Sequence, residues 1–310
     1  MQIAVVGSGA IGGLFGAFLH KSGEDVTFVD INTEHVAAMQ ANGLTIVRQG
    51  GVEVLPVKAV SRIEAAGTPD LILFAVKAYD NEQAARDCLK IAGQDTSILT
   101  VQNGVGNVET IAAILGANRI LAGTTAFGCT VLGPGIIKPS ATGSISIGEL
   151  NGTITPRLQQ VVAAFTNAGV EMHVSQNVDS LIWTKLLANV GINALAAITM
   201  LTNGQLLEYK ETERLQAAVV QEGAAVAKAK GIKFMVADIL EHVRGICRST
   251  YDNKASMRQD IERGLRTEVL AINGAIVDEG AKLGIPTPVN ETLTNLLKAI
   301  ERRGKLPPQR

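Results

Sequence analysis

Ile3-Ala4-Val5-Val6-Gly7-Ser8-Gly9-Ala10-Ile11-Gly12 is an apolar run followed by the pattern GxGxxG. The run predicts a buried strand, and residues 11–21 predict the helix that follows it. In such a turn the first glycine permits the tight bend, the second lets a pyrophosphate approach the backbone, and the third lets the helix pack closely on the strand. The phosphates would rest on N–H groups at the helix N-terminus. The candidate residues for binding a dinucleotide are therefore Gly7, Ser8, Gly9, Ala10, Ile11 and Gly12.

The first half of the chain alternates short β-branched runs with amphipathic helical segments. Strand, crossover helix and strand is the order of a parallel sheet with right-handed connections. Further buried strands are predicted at 26–29, 71–76 and 97–101, with a second helix at 34–41. A hairpin is predicted at 44–57, and strands at 120–131, 136–137 and 144–147 are expected to extend the same sheet as antiparallel members.

The second half of the chain has a different pattern. After Asn177 helical periodicity runs almost to the end, and it predicts helices at 178–200, 210–230, 257–283 and 289–301. The predicted fold class is therefore α/β, with an N-terminal Rossmann dinucleotide-binding domain at residues 1–175. An all-helical C-terminal domain at residues 176–310 follows, and it is expected to carry the substrate-binding and catalytic groups.

The composition argues against several classes of partner. Of the 310 residues, 46% are hydrophobic, 18% are charged and 4% are aromatic, with a formal net charge of −1. Such a chain lacks the excess positive charge and the stacking surfaces that nucleic acid requires. The apolar stretch at 186–201 is interrupted by Asn189 and Asn193, and we expect it to be too short and too polar to span a membrane.

The cysteines and histidines show no metal-binding pattern. Cys88, Cys129 and Cys247 form no CxxC pair and the four histidines have no ligand spacing, so no metal is expected. Free thiols are typical of a reducing compartment, and no signal peptide is visible. We therefore expect a cytoplasmic protein whose partner is a small molecule. Monomer and homodimer both remain open.

Asp30 ends the second predicted strand, about 20 residues after the glycine-rich turn. A carboxylate at this place accepts hydrogen bonds from the ribose hydroxyls of the dinucleotide and repels a 2′-phosphate. No arginine or lysine follows before Arg48. The pattern therefore favours NAD over NADP, with the alternative that Asp30 only caps the next helix.

Lys185, Asn189 and Asn193 are spaced i, i+4 and i+8, so they share one face of a predicted helix. The surrounding positions are apolar. Asparagine in the middle of a helix is a poor choice for a solvent-facing stripe, because its side chain competes with the backbone for hydrogen bonds. A ligand site explains this stripe better than a solvated face, and a partly desolvated lysine there can donate a proton to a carbonyl oxygen.

Three other polar positions have both a functional and a structural interpretation. Lys77 follows a strand whose C-terminal end is expected to face the cofactor. Ser256 begins an S-x-x-Q pattern, which predicts a capping box, although a helix N-terminus also suits a substrate carboxylate. Glu268 is predicted to lie within the long helix at 257–283, where an exposed ion pair with Arg266 is the alternative to a role in a site.

Several segments together resemble the ketopantoate reductases, over nearly the whole chain. They are GSGAIG at 7–12, AVKAYD at 75–80, QNGVGN at 102–107, WTKLLANVGIN at 183–193, NG at 203–204 and ASMRQDIERGLRTEV at 255–269. The resemblance implies an oxidoreductase that reduces 2-dehydropantoate (ketopantoate) to pantoate with a nicotinamide cofactor. This step belongs to pantothenate and coenzyme A biosynthesis.

The resemblance also implies roles for individual residues. Lys185 matches the general acid at the ketone, and Glu268 matches the carboxylate that holds the substrate hydroxyl. Lys77 matches a lysine beside the nicotinamide. Five residues of this chain match polar residues that line the cofactor and substrate cleft of the family: Asn103, Asn189, Asn193, Asn203 and Ser256. Asn253 matches a further asparagine on the substrate side.

Asp30 departs from the family pattern, because typical members use NADP and carry an arginine near this point. NAD is therefore preferred from Asp30, while NADP is the norm of the family. NAD-dependent D-2-hydroxyacid dehydrogenases such as D-mandelate dehydrogenase are similar and carry an acidic residue here, so they form an alternative, although Glu268 favours ketopantoate. The alternative of another class is a non-catalytic dinucleotide sensor, which would have no need of a general acid such as Lys185.

Overall fold

The computed structural model describes residues 1–303, and the chain divides into two compact units. The first consists of Met1–Gln102 and Asn107–Val178, and the second consists of Asn103–Gly106 and the chain from Asp179 onward. The expected domain limits at residues 175 and 176 stay a prediction, and residues 304–310 of the expected second domain lie outside the described part. The sequence did not anticipate that Asn103–Gly106 belongs to the second unit.

The first unit is built from strands and helices in alternation. Its strands are β1 Gln2–Val6, β2 Asp25–Val29, β3 Leu44–Arg48, β4 Gly51–Leu55, β5 Lys58–Val60, β6 Leu71–Phe74, β7 Ser97–Thr100, β8 Ile120–Thr125, β9 Gly128–Gly133, β10 Ile136–Ala141, β11 Ser144–Glu149 and β12 Glu171–Val174. Its helices are α1 Ala10–Lys21, α2 Thr33–Asn42, α3 Asn81–Cys88, α4 Asn107–Leu115 and α5 Pro156–Asn167.

The main sheet has the strand order β12-β11-β8-β7-β6-β1-β2-β5. Strand β1 is parallel to both neighbours, with Ile3 opposite Val26 on β2 and Leu71 on β6. Every residue of β6 is buried, as expected for a parallel strand covered on both faces, and this explains why it is an unbroken apolar run. Strand β8 pairs in parallel with β7, whereas β11 runs antiparallel to β8.

The prediction that all later strands extend the main sheet is wrong for β9 and β10. These strands form a smaller sheet with the predicted hairpin, in the order β4-β3-β10-β9. Ile137 on β10 pairs with Ile46 on β3, and both are buried. A Cβ on Gly13 of α1 would lie 3.5 Å from the Ile137 side chain, so this apolar residue covers the first helix. Burial against α1 thus separates β9 and β10 from the main sheet.

The described residues of the second unit contain helices and no strand. The helices are α6 Val178–Thr199, α7 Lys210–Ala229, α8 Ile239–Ser249, α9 Ser256–Glu262, α10 Asn273–Leu283 and α11 Pro288–Arg303. The predicted fold class, a Rossmann domain followed by an all-helical domain, is confirmed. Helix α8 was not predicted, although Asp238 caps it by accepting a hydrogen bond from the N–H of Glu241, and this D-x-x-E spacing is a recognisable start signal.

The single helix predicted at 257–283 is wrong, because α9 and α10 are separate. Gly264 has φ +66°, which ends the first helix. The N–H of Val269 then donates to the hydroxyl of Thr267 at 3.2 Å instead of to a helical carbonyl. Glu268 consequently lies in the break between α9 and α10, and not on a helix face.

Helix α6 lies where the sequence predicted a helix at 178–200, but it is more apolar than expected for a segment judged too polar to span a membrane. It has 22 residues and a mean hydropathy of 1.5 over its most apolar window, so by length and composition alone it is long and apolar enough to span a membrane. However, 72% of that window is buried inside the protein. Such burial is also typical of the core helix of a folded domain.

Candidate functional site

The three glycines of the GxGxxG turn are present for different reasons. Gly7 has φ +88°, and a Cβ there would lie 2.7 Å from the amide nitrogen of Val76. A Cβ on Gly12 would collide with the carbonyl oxygen of Gly7. A Cβ on Gly9 would meet nothing within 4 Å. The protein itself therefore requires glycine at 7 and 12, whereas at Gly9 glycine leaves open space, which fits the approach of a pyrophosphate.

The residues between these glycines form the start of α1. Ser8 is fully buried, and Gly9 is the N-cap residue, so Ala10 and Ile11 are the first helical residues. The N–H groups of a first turn have no partner within their own helix and suit an anion. The turn is thus compatible with dinucleotide phosphates.

Asp30 lies directly after β2 and contacts the glycine-rich turn. Its Oδ2 accepts a hydrogen bond from the hydroxyl of Ser8 at 3.2 Å, and its Oδ1 accepts one from the N–H of Asn32 at 3.0 Å. The N-cap of α2 is Asn32, whose Oδ1 accepts from the N–H of His35. The interpretation of Asp30 as the cap of this helix is therefore wrong.

A polar cluster that the sequence analysis missed joins the ends of β6 and β7, next to Lys77. The side-chain nitrogen of Gln102 donates to the carbonyl of Val76 at 2.6 Å and to Oδ1 of Asn81 at 2.7 Å. The side-chain nitrogen of Asn81 donates in turn to Oδ1 of Asn107 at 2.8 Å. Lys77 itself is half-buried. Gln102 and Asn107 both belong to the segment QNGVGN at 102–107, in which only Asn103 was given a role from the sequence.

In the second unit the structure places Lys185 and Glu268 within electrostatic reach of each other. Lys185, Asn189 and Asn193 all lie on α6, where Lys185 and Asn189 are half-buried and Asn193 is buried. Burial lowers the pKa of Lys185 to about 8, and the charge of Glu268 opposes that fall. A lysine in this state holds a proton near neutral pH and can release it readily.

The segment that carries Glu268 is held by α11. The carboxylate of Glu301 accepts hydrogen bonds from the N–H of Thr267 at 2.8 Å and from its hydroxyl at 2.5 Å. Three residues after Glu268, the carbonyl of Ala271 accepts from the N–H of Val105 at 3.1 Å. The backbone around Glu268 is therefore fixed on two sides.

Asn103 lies in the second unit, although it was expected within the domain at residues 1–175. Its neighbour Gly104 has φ +90°, and a Cβ there would collide with the carbonyl oxygen of Ala271. Glycine thus permits a close contact between this loop and the segment that follows Glu268. This contact brings Asn103 to the part of the helical unit that holds the predicted carboxylate.

Asn203 and Asn253 are joined through the backbone, because the N–H of Asn203 donates to the carbonyl of Asn253 at 3.0 Å. The side-chain nitrogen of Asn203 donates to the hydroxyl of Thr250 at 2.9 Å. Its Oδ1 is buried and has no hydrogen-bond partner in the protein. Buried acceptors in folded proteins are nearly always hydrogen-bonded, and a ligand hydroxyl can supply the missing donor.

The predicted capping box at Ser256 is wrong. The N-cap of α9 is Ala255, and Ser256 is the exposed first residue of the helix. No side chain caps this N-terminus, and the side-chain nitrogen of Gln259 donates to the carbonyl of Lys254 at 2.9 Å. The Ser256 hydroxyl is therefore not committed to capping, and Asn253 close by is exposed as well.

The described part of the chain shows neither a metal-binding cluster nor a reactive thiol. Within residues 1–303 no group of three or more His, Cys, Asp or Glu side chains is arranged to hold a metal ion. Cys88, Cys129 and Cys247 are free. Burial raises the pKa of Cys88 to about 12 and that of Cys129 to about 11, which suppresses the nucleophilic thiolate.

Comparison with known families gives one consistent match in both halves of the chain. The family model described as Ketopantoate reductase PanE/ApbA matches residues 3–152, and the model for the C terminal of the same family matches residues 177–301. A 2-dehydropantoate 2-reductase of Halobacterium salinarum is 34% identical over 310 residues, covering 98% of this chain and 100% of the relative.

Solved structures resemble the whole chain. A PanE/ApbA family ketopantoate reductase from Ralstonia eutropha has a TM-score of 0.92 at 33% identity, covering 99% of this chain and 100% of that one. A D-mandelate dehydrogenase in a ternary structure with NADH and anilino(oxo)acetate has a TM-score of 0.92 at 29% identity, with the same coverage.

Proposed function

Because the chain belongs to the ketopantoate reductase family, we propose that it reduces 2-dehydropantoate to pantoate with a nicotinamide dinucleotide. The predicted family and oxidoreductase class are confirmed, and the relatives that carry the name 2-dehydropantoate 2-reductase support the predicted reaction. The observation that carries the proposal is the half-buried Lys185, whose pKa is lowered to about 8 with Glu268 as its counter-charge. A proton donor tuned towards neutral pH suits the reduction of a ketone.

The glycine-rich turn and Asp30 would hold the cofactor. Gly9 leaves space for the pyrophosphate, and the first N–H groups of α1 would donate to it. When bound, the nicotinamide supplies the hydride to C2 of the 2-oxo acid. Lys77, which follows β6, would lie beside the nicotinamide.

Lys185 would donate its proton to the ketone oxygen as negative charge develops on that atom. Its lowered pKa reduces the cost of this transfer, and the proton is regained from solvent. Glu268 would accept a hydrogen bond from the substrate hydroxyl, and the unpaired Oδ1 of Asn203 is a second acceptor of the same kind. The remaining substrate contacts are proposed for Asn103, Asn189, Asn193, Asn253 and Ser256.

NAD is the cofactor we propose to be preferred. Asp30 keeps its carboxylate beside the turn through Ser8 and Asn32, where it would meet the adenosine ribose. A 2′-phosphate at this place would face a negative charge. The exposed neighbour Ile31 offers no cation to offset it.

A second candidate is an NAD-dependent D-2-hydroxyacid dehydrogenase, which the similarity to D-mandelate dehydrogenase and Asp30 favour. A non-catalytic dinucleotide sensor gains no support, because it would not need a lysine of lowered pKa. The free thiols suit a cytoplasmic enzyme.

Steady-state rates with NADH and NADPH test the proposed function. The substrates are ketopantoate and a panel of 2-oxo acids that includes hydroxyl-free and aromatic members. We expect the highest kcat/KM with NADH and ketopantoate. Turnover of hydroxyl-free 2-oxo acids without turnover of ketopantoate would establish the second candidate instead.

A further inference from the structure

His35 on α2 is buried, with 4% of its surface exposed, and both of its ring nitrogens are hydrogen-bonded. The N–H of Gly135, in the turn between β9 and β10, donates to Nδ1 at 3.0 Å. Nε2 lies 3.0 Å from the carbonyl oxygen of Ser8, inside the glycine-rich turn. The ring therefore connects this turn to the smaller sheet.

The two partners determine the tautomer. A backbone N–H can only donate, so Nδ1 of His35 must accept from Gly135 and carries no proton. The carbonyl of Ser8 can only accept, so the ring proton is on Nε2 and is donated to it. A neutral histidine satisfies both partners in this orientation, whereas a flipped ring would satisfy neither.

The bond to Ser8 has a consequence for Gly9. The peptide between Ser8 and Gly9 is planar and trans, so its N–H points in the direction opposite to its carbonyl oxygen. Because His35 holds the carbonyl oxygen, the N–H of Gly9 is directed away from the histidine. The Ser8 hydroxyl is held separately by Asp30, so this residue is fixed at both its side chain and its backbone.

We propose that His35 is a positioning residue that orients the Gly9 N–H towards a phosphate of the dinucleotide. It touches neither the substrate nor the reacting atoms and acts through Ser8. The smaller sheet supports it, because Gly135 is itself fixed by the hydrogen bond from the N–H of Thr45 to its carbonyl at 2.8 Å. This role rests on the dinucleotide binding in the proposed function, but not on the identity of the 2-oxo acid.

Two substitutions separate the two hydrogen bonds of His35. His35→Gln can keep a donor near the position of Nε2, towards Ser8, and loses the acceptor for Gly135. His35→Asn can keep an acceptor near the position of Nδ1, towards Gly135, and loses the donor to Ser8. His173→Gln, at an exposed histidine of the same unit, is the matched control.

The dissociation constants of NADH and NADPH are measured by fluorescence titration, together with Tm, kcat and the KM of the cofactor. We expect His35→Asn to weaken binding of the preferred dinucleotide about five- to tenfold, which lies within the range for one hydrogen bond, with kcat within about twofold of wild type. His35→Gln should lower Tm but bind the dinucleotide within about twofold of wild type. His173→Gln should change neither.

Equal weakening by both variants, or weakening by His35→Gln alone, would show that His35 only stabilises the fold, and the proposal would be overturned. Unchanged affinity in a folded His35→Asn variant would overturn it as well, and if that variant does not fold, weakened binding by His35→Gln still would. If the wild-type protein binds NADH but does not reduce ketopantoate, the proposed substrate is wrong and the proposed role of His35 still stands. If the protein binds neither NADH nor NADPH, both the proposed function and the proposed role of His35 are wrong.

Discussion

The charge of Glu268 acts on the ammonium of Lys185 and opposes the effect of burial, which lowers the pKa of that lysine to about 8. The two residues are 83 positions apart in the chain, as the difference of 268 and 185 gives. Glu268 reaches this position because the helix expected around it is interrupted, and Glu301 holds the interrupted segment through Thr267. Burial makes the proposed proton donor more acidic, and the break between two helices places the charge that limits this effect.

Glu268→Gln should move the alkaline limb of the pH profile to lower pH. The negative charge of Glu268 raises the pKa of Lys185, so a neutral glutamine lets that pKa fall below about 8. The reduction requires the protonated lysine, so in wild type kcat/KM should decline as pH rises through about 8, and in the variant it should decline earlier. Profiles of kcat/KM against pH check this, with Glu291→Gln, an exposed glutamate on α11, as control.

Lys185→Ala should lower kcat about 10²- to 10⁴-fold, the usual contribution of a positioned proton donor. The affinity for NADH should change little, because Lys185 belongs to the unit that does not contain the glycine-rich turn. Single-turnover rates and NADH titrations measure the two effects, and the exposed Lys233→Ala serves as control. An unchanged rate of the chemical step would remove Lys185 as the general acid.

Gly9→Ala and Gly12→Ala should fail in different ways. A Cβ on Gly9 meets no protein atom within 4 Å, so this variant should keep its Tm and lose affinity for the dinucleotide. A Cβ on Gly12 would collide with the carbonyl of Gly7, so that variant should lose about 1–3 kcal/mol of unfolding free energy. Urea denaturation and cofactor titration of both variants check the pair. The same loss of stability in each would argue against a ligand space at Gly9.

The sequence predicts those parts of the fold that depend on neighbouring residues better than those that depend on residues far apart in the chain. The glycine-rich turn, the buried strands and the polar stripe on α6 are local patterns, so the sequence predicted them. The end of α9 at Gly264 is a local signal that was overlooked, whereas the position of the segment after it depends on the bond from Thr267 to Glu301, which is 34 residues away. The smaller sheet was missed because Ile137 pairs with Ile46 across 91 residues, the difference of the two numbers. Such pairings are decided by burial in three dimensions, which periodicity does not encode.

Asp30→Arg should narrow or reverse the preference between the two cofactors. The wild-type carboxylate is held by Ser8 and Asn32, and its charge would repel a 2′-phosphate. Ratios of kcat/KM for NADH and NADPH measure the effect. Asp25→Arg, at the exposed first residue of the same strand, should leave the ratio unchanged. A wild-type enzyme with the higher kcat/KM for NADPH would contradict our interpretation of Asp30.

Glu268→Ala should damage the reduction of ketopantoate more than that of a 2-oxo acid of similar bulk without the hydroxyl. Glu268 is proposed to accept from that hydroxyl, since a second carboxylate beside the substrate carboxylate would repel it. Leaving the hydroxyl unpaired costs about 1–3 kcal/mol, which corresponds to about 5- to 150-fold in kcat/KM. Two enzymes measured with two substrates form a double-mutant cycle in which one change is made on the ligand. Removing the charge of Glu268 also changes the pKa of Lys185, but this affects both substrates equally and cancels in the cycle. The coupling energy that remains therefore measures the contact with the substrate hydroxyl. Equal losses for the two substrates would mean that Glu268 serves Lys185 alone.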